Sequence, residues 1–260
     1  AVTLDVGEIG APLAPLSISY GTTIGELAGP ELLDDKMKFA EWQLAGETFD
    51  SMTYVIEEAL TLTAVYEEKL LLQEIDTFFI SGRGVVVVMK VLLGTLHVDD
   101  MLYNHKEDIE VTPIGLIVNN LTVTQANKGE TVDALFSGVT KEQMENFRFM
   151  YIKNEFDLSN SFAATINVRE DATAQLTIGG AAQVYLYGAD FSVTILSIKD
   201  AEGNDVTETE AGNTYTIEVS LAETNPVILL YTGQEIYVRS GNKTLATGEV
   251  LEYSFVVSEE

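Results

Sequence analysis

The stretch Ile80-Ser81-Gly82-Arg83-Gly84-Val85-Val86-Val87-Val88-Met89-Lys90-Val91-Leu92-Leu93-Gly94-Thr95-Leu96-His97-Val98-Asp99-Asp100 decides the fold. Four valines run from Val85 to Val88, the apolar run resumes at Val91, and glycines stand at both ends. An unbroken β-branched run between glycines predicts a buried strand with a tight turn at each end. The rest of the chain repeats the theme in shorter pieces.

Upstream, Val2-Thr3-Leu4-Asp5-Val6 alternates as a strand. Leu16 to Thr23 reads as a second strand ending at the Gly21 turn, and Glu31 to Lys38 as a short acidic segment with a helical turn. Met37 to Leu44 alternates around the only tryptophan, Trp42, and Ala45-Gly46-Glu47 marks a turn. Phe49, Tyr54-Val55-Ile56 and Leu60 to Tyr66 follow. The aromatics here are expected to pack a core. Residues 67–75 lack Gly, Pro and Ser, so they predict a short, stiff connector, with Leu70 to Leu72 opening the next strand or packing at a junction.

The composition limits the partners. The chain has 260 residues, enough for one to three domains, and 46% of them are hydrophobic, enough for sizeable cores. Against 41 acidic residues stand only 14 basic ones, a formal net charge of −27. Nucleic-acid binding rests on Lys and Arg displacing counterions, so this charge argues against a polyanion and against an anionic bilayer surface. Lys141, Lys153, Lys199 and Lys243 are scattered rather than gathered in a basic patch. There is no cysteine, which removes disulfides, thiolate chemistry and cysteine-bound zinc. No apolar run approaches the ~20 residues of a membrane-spanning helix, so no membrane insertion is expected. No signal peptide is visible, and the chain begins directly on a strand pattern, as a mature or excised piece or a cytosolic protein would.

Two resemblances rest on quoted residues. Gly82-Arg83-Gly84, the valine run, Gly94-x-x-x-Val98-x-Asp100, Ala126 to Val132, and Leu135 to Phe147 with its Gly138-Val139 turn resemble the second domain of elongation factor Tu-type translational GTPases. Ala174 to Ile178, Ala182 to Tyr187, Ala211 to Leu221, Asn225-Pro226-Val227 and Arg239-x-Gly241-x-Lys243-Thr244-x-x-x-Gly248-x-Val250 resemble that family's third domain. The resemblance implies two tandem closed β-barrels over residues 76–260. Tyr20-Gly21-Thr22, Phe39, Trp42, Gly46 to Asp50 and Leu60 to Tyr66 resemble the Listeria–Bacteroides repeat, a β-grasp module of bacterial surface proteins, although Glu41 and Tyr66 replace a usual glycine and tryptophan.

The departures bear on function. Where the elongation factors use a glutamate and an arginine to hold the aminoacyl end of transfer RNA, this chain has Gly115 and Val118. Arg83 matches the family and reads as a strand-end arginine on a tight turn. The Gly-x-x-x-x-Gly-Lys-Ser/Thr loop of a GTPase occurs nowhere in the sequence.

Candidate chemistry is sparse, and no catalytic, cofactor or metal residue is assigned. Asp200-Ala201-Glu202-Gly203-Asn204-Asp205 carries calcium-ligand residue types, but an EF-hand needs Gly at its sixth position and Glu at its twelfth, where Asp205 and Ala211 stand; a solvated hairpin turn is the favoured reading. Asp34-Asp35 and Asp99-Asp100 read as solvated pairs, with weak cation binding the other reading. His97 and His105 lack metal-site spacing, and no Gly-x-Ser-x-Gly elbow exists.

The sequence therefore predicts an all-β chain: a small β-grasp module at 1–69, a barrel at 70–158 and a barrel at 159–260. The expected function is a non-catalytic structural or adhesive protein of the cell surface of a bacterium, a Gram-positive one, self-associating or meeting another surface protein through strand edges into a filament or lattice. The alternative is a module binding a peptide or glycan in a groove between the barrels, marked by a concave cluster of Tyr and Phe. An RNA-binding, translation-related role stands against the charge.

Overall fold

A computed structural model describes residues 1–222 and 227–255, with the side chains of residues 254 and 255 excepted. The Asn225-Pro226 pair of the family pattern lies outside the described residues. The chain is all-β, with a single 3₁₀ turn at Glu142–Met144 among the described residues. It divides into two compact units, Ala1–Leu70 with Leu93–Thr95, and Leu71–Leu92 with Leu96–Glu260.

The first unit holds β1 (Val2–Asp5), β2 (Met37–Leu44), β3 (Glu47–Thr48) and β4 (Leu60–Glu68). They form one mixed sheet in the order β1-β4-β2-β3, with β1 parallel to β4 and β2 antiparallel to it. Alternation puts Val2, Leu4, Leu62 and Ala64 into one core with Trp42, Phe49 and Ile56. The Trp42 indole donates to Ala28 O at 3.1 Å and the Tyr66 hydroxyl to Val6 O at 2.9 Å, so the buried indole and the half-buried phenol both have their polar ends satisfied. Three expectations are corrected. Leu16 to Thr23 is no strand; only isolated bridges Val2↔Leu16 and Thr22↔Ile56 survive of it. Glu31 to Lys38 carries no helical turn, because the Asp34 carboxylate accepts the Lys36 backbone N–H at 3.0 Å and diverts the chain into β2. The connector at 67–75 shrinks to Lys69-Leu70, since β4 runs on to Glu68 and the next strand starts at Leu71.

The second unit opens with β5 (Leu71–Ile80), β6 (Gly84–Leu93), β7 (Thr95–His97), β8 (Leu102–Asn104), β9 (Ile109–Val111), β10 (Gly115–Val118), β11 (Leu121–Val123), β12 (Gln125–Asn127), β13 (Thr131–Phe136) and β14 (Phe149–Tyr151). The decisive stretch is β6, with Val85, Val86, Val87, Met89 and Val91 buried. Gly84 has φ +132°, and a Cβ there would strike the backbone of Phe136, so the glycine lets β6 meet β13. Eight of these strands form one sheet, β11-β10-β13-β6-β5-β14-β8-β9, and β12 pairs with β7 separately. This is a correction: among the described residues no ladder joins β9 to β11. The strand order expected to close into a barrel here is open at both ends.

The remaining strands are β15 (Leu158–Val168), β16 (Ala181–Leu186), β17 (Ala189–Lys199), β18 (Thr214–Leu221), β19 (Ile228–Leu229), β20 (Glu235–Ser240) and β21 (Lys243–Phe255). Six of them close into a barrel in the order β18-β17-β16-β20-β21-β15, with β15 pairing back onto β18. Closure removes the unpaired edges that an open sheet exposes. Of Ala174 to Ile178, which resembles the opening of the elongation factors' third domain, only Thr177 pairs, through the bridge to Glu208.

Candidate binding cleft

Within the second unit a cleft of about 400 Å³ lies where the open sheet meets the closed barrel. Gln73 and Leu92 line it from β5 and β6; Tyr185, Tyr187, Tyr231, Gln234, Glu235 and Tyr237 line it from the barrel. That size falls in the range of small-ligand sites.

The cleft is built by a strained hairpin. Tyr187 and Gly188 join β16 to β17, with φ of +51° and +73°. Positive φ at both positions is the type I′ geometry that two-residue hairpins favour, normally with Asn or Gly first. A tyrosine there costs about 1–3 kcal/mol of backbone strain. Burial offsets it: the ring sits 5.2 Å from Phe149 and the hydroxyl donates to Leu229 O at 2.9 Å. Burying such a ring stabilises by about 1.5–3 kcal/mol. Burial also pushes the hydroxyl's pKa up, and the Gln234 side chain shares a hydrogen bond with it. The Gln234 Oε1 in turn accepts the Tyr231 N–H at 3.3 Å. Tyr187 and Gln234 thus form a fixed floor.

The outer wall is the barrel's solvent face. Register places Tyr185 opposite Tyr237, Tyr237 opposite Thr247, and Thr247 opposite Asn167. The two tyrosines meet edge to face at 6.4 Å. Arg239 lies 4.0 Å above the Tyr185 ring and pairs with Asp190 at 3.3 Å, which holds Tyr185 upright. One row below, Glu235 stands directly opposite Glu249, which stands opposite Thr165. These groups line a second hollow of about 460 Å³, which shares Glu235 and Tyr237 with the cleft.

The residues singled out in the sequence lie elsewhere. Arg83 is exposed in the turn before β6, its N–H donating to Ile80 O at 3.0 Å. The Asp200 carboxylate accepts the Asn204 amide, the Asn204 backbone N–H and the Glu202 backbone N–H, which hold its pKa below the usual range and tie the segment into a turn. Asp100 accepts the His97 N–H, Asp34 pairs with Lys36, and His105 stacks on Phe149 at 5.4 Å. Among the described residues no group of three or more His, Asp or Glu is placed to hold a metal. Gly115 and Val118 sit in β10, with Val118 buried. Among the described residues no helix is long and apolar enough to cross a membrane, which leaves crossing by strands unaddressed. Sequence reasoning named the kind of cluster to look for but not its members. The one available signal was Tyr187-Gly188-Ala189-Asp190, a turn dipeptide between two alternating runs.

An all-β unit with one closed six-stranded barrel is what fold and cleft define. No family model matches the chain. Among curated proteins it is weakly similar to elongation factor Tu: 24% identical over 185 residues to the apicoplast protein of Theileria parva (68% of this chain, 44% of that protein), 23% over 214 residues to the apicoplast protein of Plasmodium falciparum (79% and 51%), and 27% over 175 residues to elongation factor Tu 2 of Streptomyces avermitilis (66% and 43%). The chain spans about half the length of these relatives. This weak similarity and the closed barrel fit the resemblance to the elongation factors' β-domains.

Proposed function

We propose that the chain is a non-catalytic binding module of a bacterial cell surface, holding its ligand in the tyrosine-lined cleft of the second unit. The observation that carries this reading is the convergence of Tyr185, Tyr187, Tyr231 and Tyr237 with Gln73 and Gln234 in one concave site. Aromatic walls with a few fixed polar groups are the usual make-up of a ligand site. Glu235 and Glu249 both stand in solvent, which supports a binding role over acid catalysis, since an acid catalyst needs a carboxyl in an apolar pocket. In the first unit, the order β1-β4-β2-β3 with the parallel pair β1–β4, flanked by the single Val2↔Leu16 bridge, supports the β-grasp reading and with it a surface-repeat origin. The elongation-factor similarity would suit a translation role, but the charge of −27 and the residues Gly115 and Val118 weigh against RNA.

The test is a heteronuclear NMR titration of the full chain with a peptide library and an oligosaccharide panel. Shifts gathered on Tyr185, Tyr231 and Tyr237 support the reading; silence of the cleft towards both collections overturns it.

A second reading, self-association into a filament or lattice, draws on the open edge at β11, where Leu121 is 68% exposed. Light scattering and electron microscopy at high protein concentration check it, and monomers throughout would remove it.

A further inference from the structure

We infer that the ligand is an uncharged oligosaccharide, laid across the closed barrel so that Tyr237 parts two subsites. This rests on the cleft reading above and adds the ligand's chemistry and its path.

The path follows from the two hollows. The cleft of about 400 Å³ ends at Tyr237 and Glu235, and the second hollow of about 460 Å³ begins at the same two residues. Together they run over β16, β20, β21 and β15. Three steps between neighbouring strands make a trough roughly 14 Å long. The repeat of an extended pyranose chain is close to the spacing between strands, so the trough takes about one sugar per strand crossed. A single sugar fills one side of Tyr237 only.

The chemistry follows from the lining. A pyranose offers a C–H face to an aromatic ring and a rim of hydroxyls to amides and carboxylates. Tyr237, 40% exposed, presents its ring to both hollows. Glu235 and Glu249 are acceptors with two oxygens each, matched to neighbouring hydroxyls. The Asn167 Oδ1 accepts the Thr214 hydroxyl at 2.7 Å, which fixes the amide, whose nitrogen is a donor. Thr165 and Thr247 complete the floor with side chains able to donate and accept. The carboxylates here, under a chain charge of −27, repel an anionic polymer. Arg239 beside the trough pairs with Asp190 and covers the Tyr185 ring, so its charge is offset by a neighbouring carboxylate.

The opposed carboxylates add an independent hint. Like charges directly across a ladder destabilise a sheet, and Glu235 and Glu249 are such a pair. Bridging hydroxyl donors on a ligand relieve that repulsion.

The experiment is NMR titration of the full chain with cellotetraose, maltotetraose, chitotetraose and mannotetraose, their monosaccharides, a decaproline peptide and an oligolysine peptide. At least one tetrasaccharide is expected to shift cleft and trough resonances with sub-millimolar affinity, and its monosaccharide to bind at least about tenfold more weakly. Tyr237→Ala is expected to weaken the tetrasaccharide about tenfold or more, and Glu249→Gln, which keeps the shape, about threefold. Matching hydrogen-exchange protection in the variants shows that the barrel still closes. A monosaccharide that binds as tightly as its tetramer overturns the two-subsite path. A peptide that takes the cleft while every sugar is silent overturns the sugar chemistry and leaves the cleft reading standing; silence from all probes up to about 10 mM ends both.

Discussion

Replacing Gly248 by alanine tests whether the closed barrel depends on a close approach of β15 and β21. Gly248 points into the barrel opposite Ile166. A Cβ at Gly248 would run into the Thr165 carbonyl oxygen and lie 2.8 Å from Ile166 Cγ2. Neither neighbour has room to yield, since Ile166 is fully buried and Thr165 is held between β18 and β21. The strands must part locally. Overpacking costs about 1–3 kcal/mol, and one or two weakened ladder bonds add roughly 1 kcal/mol each. The total is about 2–5 kcal/mol. For a unit of this size that lowers Tm by roughly 4–20 °C. Urea unfolding combined with hydrogen exchange at β15 and β21 is the assay, because the chain holds two units and a single bulk transition would blur them. Gly115→Ala is the control: nothing lies within 4 Å of its added Cβ and its φ is ordinary, so it stays within about 0.5 kcal/mol of the parent. A Gly248→Ala barrel as stable as the control would refute the close approach and, with it, the shape of the trough that lies above Gly248.

Other perturbations reach different parts of the molecule. Thr77→Val removes a buried hydroxyl that donates to Met144 O at 2.7 Å, and is expected to cost about 1–3 kcal/mol in chemical denaturation. Burial against Phe149 lowers the pKa of His105 below its usual 6.5, so the unfolded chain binds its proton more readily. Stability therefore falls as pH drops below about 6.5 and levels off beneath the lowered value, and His105→Gln flattens that part of a Tm-against-pH curve. Carboxylates with depressed pKa, such as Asp34 with its Lys36 partners, contribute at neutral pH and lose that contribution only as pH falls through the acid range. With a net charge of −27, raising sodium chloride from about 10 mM to about 150 mM is expected to raise Tm by screening; a fall would mean that ion pairs outweigh the repulsion.

How much was legible follows from the kind of signal each element gives. β6 was plain because Val85 to Val88 form an unbroken β-branched run, mostly buried, within a segment that has glycine at either end. β4 and β18 were plain because they alternate. Leu16 to Thr23 alternates too, yet only Leu16 and Thr22 pair, through isolated bridges, so the pattern was met by burial without a ladder. Strand propensity measures fit to a half-buried surface and does not guarantee a neighbour. That the sheet built from β5 to β14 stays open was not legible. Whether a sheet closes depends on tilt and stagger across many short strands, which no local pattern encodes. The cleft was legible in kind only: tyrosines at 185, 187, 231 and 237 come from three chain segments, and only the barrel's register makes them neighbours.

That register also bears on why the barrel's outer face looks as it does. A barrel serving only as a spacer would be most stable with opposite charges or β-branched pairs across its ladders. Here the face over β20 and β21 sets Glu235 against Glu249 and leaves Tyr237 40% exposed, both against local stability. The same barrel keeps its inner face free of such conflicts, with Ile166, Val184, Ile217, Val238 and Val250 packed within it. Departures from local rules that cluster on one patch of an otherwise consistent structure are expected where a surface serves recognition. Sugar binding by Glu235→Lys, measured beside its stability, separates the two cases. On a mere spacer the change gains a few tenths of a kcal/mol from a cross-strand ion pair and alters nothing else. On a recognition surface it gains the same stability and abolishes sugar-induced shifts in the trough. A more stable variant that still binds every sugar the parent binds would show that the opposed carboxylates are incidental.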